Sequence, residues 1–100
     1  MGMHIVQRSR GDLDLFRLKG RLDAGAVEQL AFILRAMPGG RRIQFDFRSV
    51  DNAGSPEAAG WLKSVLERRP EGRGLLFSGI PTPAARRHAL EGLPPALFVR

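Results

Sequence analysis

The residues best suited to chemistry gather where an apolar strand ends and an amphipathic helix begins, in Val50-Asp51-Asn52-Ala53-Gly54-Ser55-Pro56-Glu57. Ser-Pro-Glu ahead of an apolar-periodic run is a helix start signal. Ser55 is expected as the N-cap, its hydroxyl accepting from the N–H of Glu57 or Ala58, with Pro56 at the first helical position. A hydroxyl placed there lies in a field that favours negative charge, so an added phosphate or a partner's carboxylate would suit it. Asp46, Asp51 and Glu57 approach the same strand exit, but a hard cation needs several convergent oxygens and only Asn52 is at hand to add one. Asp51 and Asn52 therefore read as turn formers with a role in partner contact, and no metal or cofactor is expected.

The two histidines, His4 in the first strand and His88 in the third helix, form no nucleophile, base and orienter set with Ser55. They are expected as surface or half-buried structural residues, and the chain as no enzyme. Gly39-Gly40 and Gly72-Arg73-Gly74 are too short and wrongly placed for a phosphate-binding loop. Trp61 falls at a core position of the helix, although an exposed Trp beside Ser55 would anchor an interface.

A single domain is the expected home of this junction. One hundred residues, 43% apolar and 26% charged, have the balance of an ordinary globular protein. Cysteine is absent, which excludes disulfides, thiol nucleophiles and zinc knuckles and fits a reducing compartment. No apolar run approaches the roughly 18 residues of a membrane span, and Met-Gly-Met-His-Ile-Val-Gln-Arg has no signal-peptide core. A cytoplasmic protein is expected, meeting membranes only through a partner. The net charge of +6 raises nucleic acid as a partner. Yet the basic residues are scattered, in pairs no longer than Arg41-Arg42, Arg68-Arg69 and Arg86-Arg87, without interleaved aromatics, so nucleic acid is not the expected ligand.

The elements that must position Ser55 read as alternating strands and helices. His4 to Arg8 and Leu13 to Leu18 are apolar runs around Ser9-Arg10-Gly11-Asp12, an antiparallel hairpin. Asp23 caps a helix carrying Val27, Leu30, Ala31 and Leu34 and ended by Pro38-Gly39-Gly40. Ile43, Phe45 and Phe47 alternate with Gln44, Asp46 and Arg48 as a strand, and the Ser55 helix follows with Ala58, Trp61, Leu62, Val65 and Leu66 inward. Leu75 to Ser78 read as a buried strand, Thr82-Pro83 opens a third helix to Leu90, and Leu97 to Val99 form a last strand after Pro94-Pro95. The order β-β-α-β-α-β-α-β implies an α/β sandwich, a mixed sheet with helices packed mainly on one face.

That order, with Leu18-Lys19-Gly20-Arg21-Leu22-Asp23, the exit Phe45-Asp46-Phe47-Arg48-Ser49-Val50 and the turn Gly79-Ile80-Pro81-Thr82-Pro83, resembles a STAS domain, the fold of bacterial anti-sigma factor antagonists. The resemblance covers nearly the whole chain. It implies a non-catalytic regulator docking on a nucleotide-using anti-sigma kinase through the strand-to-helix turn, here Asp51, Asn52, Gly54, Ser55, Pro56, Glu57 and Ala59. Ser55 matches the hydroxyl residue that such a kinase phosphorylates. The usual Asp-Ser-Ser-Gly or Asp-Ser-Thr-Gly is altered around it: Gly54 replaces the Asp, Pro56 the second hydroxyl and Glu57 the Gly. These changes alter the charge a kinase would meet and remove an N–H, so docking is weighted above phosphorylation. The compact ending after the third helix is also similar to the small cytoplasmic STAS subunit of the bacterial phospholipid ABC transporter. That resemblance implies docking on the transporter ATPase through the hydroxyl at Ser55.

Overall fold

A computed structural model describes residues 3–37, 39–71, 74–90, 92–93 and 98–99. Its first strands, β1 (His4–Arg10) and β2 (Leu13–Gly20), pair antiparallel in the register His4 to Lys19 through Arg10 to Leu13. Both run further than the apolar runs suggest, leaving only Gly11 and Asp12 in the loop. Gly11 has a positive φ of 59° at the first central position, where a two-residue II′ hairpin places glycine. Then follow α1 (Ala24–Ala36), β3 (Arg42–Val50), α2 (Ala58–Glu67), β4 (Leu75–Ser78), α3 (Thr82–Leu90) and the two-residue β5 (Phe98–Val99). The sheet order is β1-β2-β3-β4-β5, parallel from β2 onward. Leu97 and Pro94-Pro95 of the expected last strand and its break lie outside the described residues.

Period-two alternation decides where the core sits. Phe16 and Leu18 of β2, Ile43, Phe45 and Phe47 of β3, and Leu75 and Phe77 of β4 join one buried cluster with Leu30 and Leu34 of α1 and Leu62 and Val65 of α2. Phe45 meets Phe16 with ring centroids 5.8 Å apart, and Phe47 meets Phe77 edge-on at 5.5 Å. Each fully buried ring contributes about 1.5–3 kcal/mol of transfer free energy. His88 of α3 packs on the same side, its ring 5.8 Å from Phe98, which in turn lies 5.9 Å from Phe77. His88 is thus fully enclosed rather than superficial, because α3 turns it toward the Phe98 ring; His4 is exposed. Among the described residues all three helices cover one face, and none is long and apolar enough to cross a membrane.

Candidate functional site

Three loops follow the carboxyl ends of the parallel strands β2, β3 and β4, the end of an open α/β sheet where ligand-binding crevices form. The site grows from their mutual fixation. The Asp51 N–H donates to the Gly20 carbonyl at 2.7 Å, drawing the β3 exit against the β2 exit. The next side chain locks it: Asn52 Oδ1 accepts from the Leu22 N–H at 2.7 Å while its Nδ2 donates to the Leu22 carbonyl at 2.8 Å. A side-chain amide has the donor and acceptor needed to satisfy both backbone groups of one residue, as a neighbouring strand would. The third loop closes beside them, with Gly54 next to Pro81 and Ala84.

Beyond Asn52 the chain coils into α2 through turns. Ser55 N–H donates to the Asn52 carbonyl at 3.0 Å and Ala58 N–H to the Ser55 carbonyl at 3.1 Å. The helix begins at Ala58, with Glu57 as a helical N-cap residue that makes no side-chain cap bond. This corrects the expected N-cap at Ser55. The Ser55 hydroxyl does not accept from Glu57 or Ala58; it donates to the Asn52 carbonyl at 2.8 Å, closing a hydroxyl-backbone turn one step before the helix. Pro56 accordingly sits in the turn and not in the first helical position. At the other loop Asp23 does cap α1, its Oδ1 accepting from the Ala26 N–H at 2.9 Å.

Asp51, Gly54, Pro56 and Glu57 are exposed and Ser55 is half-buried, so these five form the solvent-facing rim of the junction. Asn52 and Ala59 do not belong to it. Both are buried, Asn52 because its amide is spent on Leu22 and Ala59 because it lies on the core side of α2, and their part is to position the rim. Glu57 and Asp51 bring negative charge to the rim, and the Glu57 carboxylate is the one that also lines the adjoining groove. The Glu57 backbone N–H and, second, the Ser55 hydroxyl hold this carboxyl below the ordinary glutamate range. The hydroxyl has one proton, and the 2.8 Å contact gives it to Asn52, so Ser55 is the lesser and alternative partner of the carboxylate.

Next to the rim an open groove of about 520 Å³ runs between the β2–α1 loop and α2, lined by Arg21, Asp23, Glu57, Trp61 and Ser64 among others. Trp61, expected mainly as core, is half-buried and packs on the core while lining this groove. Arg21 and Asp23 were not among the residues the sequence singled out for contact. The only signal for them was their place at the end of β2, and joining that end to Ser55 needed the Asn52–Leu22 pairing across 30 residues. Asp46, by contrast, points away from the groove, bonded through Oδ1 to the Arg48 N–H at 3.0 Å. Among the described residues no three His, Asp or Glu side chains come together as a metal ligand set. The arrangement offers an exposed carboxylate, a guanidinium, a hydroxyl and an indole, a set suited to recognition by contact. Compared with known proteins, the chain matches no family model and no curated protein sequence.

Proposed function

We propose that the protein is a non-catalytic interaction module of the STAS type, working as an anti-sigma factor antagonist does: it docks on a nucleotide-using protein partner through the β3–α2 junction. One observation supports this above the others. The Asn52 amide staples the β2 and β3 exits into one rigid edge, and that edge borders an open groove with Trp61 in its wall and Arg21 and Glu57 at its margin. A half-buried aromatic with adjacent charged groups on a fixed backbone is the make-up of a protein-docking surface. Ser55 sits at the middle of the rim, and its hydroxyl serves the turn. Phosphorylation there would break the bond to Asn52 and set a dianion two residues from Glu57, so modification would act as a release signal by charge repulsion.

The test is titration calorimetry of the purified chain with the anti-sigma kinase, and separately with the transporter ATPase, encoded nearest its gene. Wild type should bind one of them. Ser55→Trp, which blocks the rim, and Ser55→Glu, which adds charge beside Glu57, should each weaken binding at least about tenfold. Variants that bind as wild type does would remove the junction from the account, and wild type binding neither protein would remove the partner class.

A further inference from the structure

The sheet has a second side. With Phe16, Leu18, Ile43, Phe45 and Phe77 turned under the helices, strand neighbours of opposite parity face away from them, and no helix among the described residues lies over that side. The register builds it as an alternation of cations and aliphatics. Val6 is paired with Arg17, Arg8 with Leu15, and Arg10 with Leu13, while Leu13 is also paired with Arg42. Val6 is 46% exposed. Arg8, Arg10, Arg17, Lys19, Arg42 and Arg48 are all exposed on this side.

Few carboxylates oppose them. Asp46 is nearly buried and bound to Arg48, whose Nε lies 3.5 Å from its Oδ1, and Asp12 in the hairpin turn takes Arg42 at 3.1 Å. Six cations against two carboxylates hold most of the chain's surplus of +6. The patch is invisible along the sequence because strand alternation spaces its members two apart and three strands contribute them. Where β3 bulges against β2 after Arg17, the face also opens a recess of about 210 Å³ lined by Arg17, Leu18, Asp46, Arg48 and Ser49.

The alternation selects among polyanions. Single-stranded nucleic acids are held by aromatic stacking platforms together with cations, and Phe16, Phe45, Phe47 and Phe77 lie on the helix side while Phe32 and Trp61 belong to helices, so this face offers the cations without an aromatic platform. A bilayer surface with anionic headgroups matches both components. Guanidinium groups meet headgroup phosphates, while the aliphatic stems of Arg, together with Val6 and Leu15, rest at the boundary. We propose that the helix-free face of the sheet adsorbs to anionic phospholipid membranes, with headgroup phosphates held by Arg8, Arg10, Arg17 and Arg48. Such direct contact goes beyond a membrane role through a partner, and it leaves the groove on the other side of the molecule open.

Flotation of the full chain with vesicles tests this. Binding is expected to phosphatidylcholine vesicles containing phosphatidylserine, not to phosphatidylcholine alone, and should be lost when salt is raised about tenfold. Arg8→Gln with Arg17→Gln should weaken it about twentyfold, near fivefold per cation. Arg86→Gln with Arg87→Gln, the same charge loss on the exposed side of α3, should change it less than about twofold. If the first pair melts early, Arg10→Gln with Lys19→Gln serves in its place. No binding to phosphatidylserine vesicles at low salt overturns the proposal, and so does an equal loss from the sheet and α3 pairs. Tighter binding of duplex RNA than of vesicles at matched phosphate also overturns it and makes the occupant a nucleic acid.

Discussion

Replacing Asn52 by Ala removes one side chain and strands two backbone groups. The amide makes bonds of 2.7 and 2.8 Å to the N–H and carbonyl of Leu22, a residue only 1% exposed. Each lost bond costs about 1 kcal/mol net, and each backbone group left without a partner adds part of its desolvation penalty, so the total comes to about 3 kcal/mol. In a domain of this size that lowers Tm by on the order of 15 °C. Urea unfolding followed by far-UV circular dichroism reads it directly, with the midpoint falling and the slope unchanged. Asn52→Asp should be worse, because it keeps an acceptor for the Leu22 N–H but turns a second oxygen toward the Leu22 carbonyl. A loss below about 1 kcal/mol for Asn52→Ala would refute the staple, since water would then be satisfying Leu22 at no cost.

Other perturbations probe the rest of the frame. Gly79 has φ +76°, and a Cβ there would stand 2.6 Å from the Arg48 nitrogen and 2.7 Å from Asp46 Oδ1, so Gly79→Ala should cost at least about 2 kcal/mol in chemical denaturation. Asp14 is buried and grips Arg41 through bonds of 2.9 and 3.0 Å, an embrace that raises the Arg41 pKa through its hydrogen bond to Asp14. Arg41→Ala should therefore lower the urea midpoint, because it leaves the buried Asp14 carboxylate without its guanidinium. Glu57 has its folded pKa lowered, so its contribution is present above the unfolded value and fades as pH falls through the depressed one. Carbon-detected NMR titration should place its midpoint below the ordinary glutamate value measured in the urea-unfolded chain, and an equal midpoint would mean that the backbone N–H does not hold the carboxylate.

The hairpin, the three helices and the alternating Ile43, Phe45 and Phe47 strand are legible in sequence because each rests on neighbours a few residues apart. The start of α2 is misread by two residues. Ser-Pro-Glu carries every local mark of a cap at Ser55, yet the Asn52 carbonyl, fixed by a staple to a residue 30 positions away, takes the hydroxyl first. Similar long-range pairing hides the Asp14–Arg41 contact and the enclosure of His88 against Phe98. Within the candidate site the rim members Asp51, Gly54, Ser55, Pro56 and Glu57 follow from the strand exit alone. Arg21 and Asp23 enter only once the sheet brings β2 beside β3, and the basic sheet face only once the register is known.

The claim that the protein docks through its β3–α2 edge is tested most directly by amide hydrogen exchange of the full chain, alone and saturated with the nucleotide-using partner that calorimetry identifies. The account predicts slowed exchange in residues 51–66 and in the adjoining loop at Arg21 to Asp23, with β1 unchanged. Protection confined to β1 and β2, with residues 51–66 exchanging as in the free protein, would contradict it.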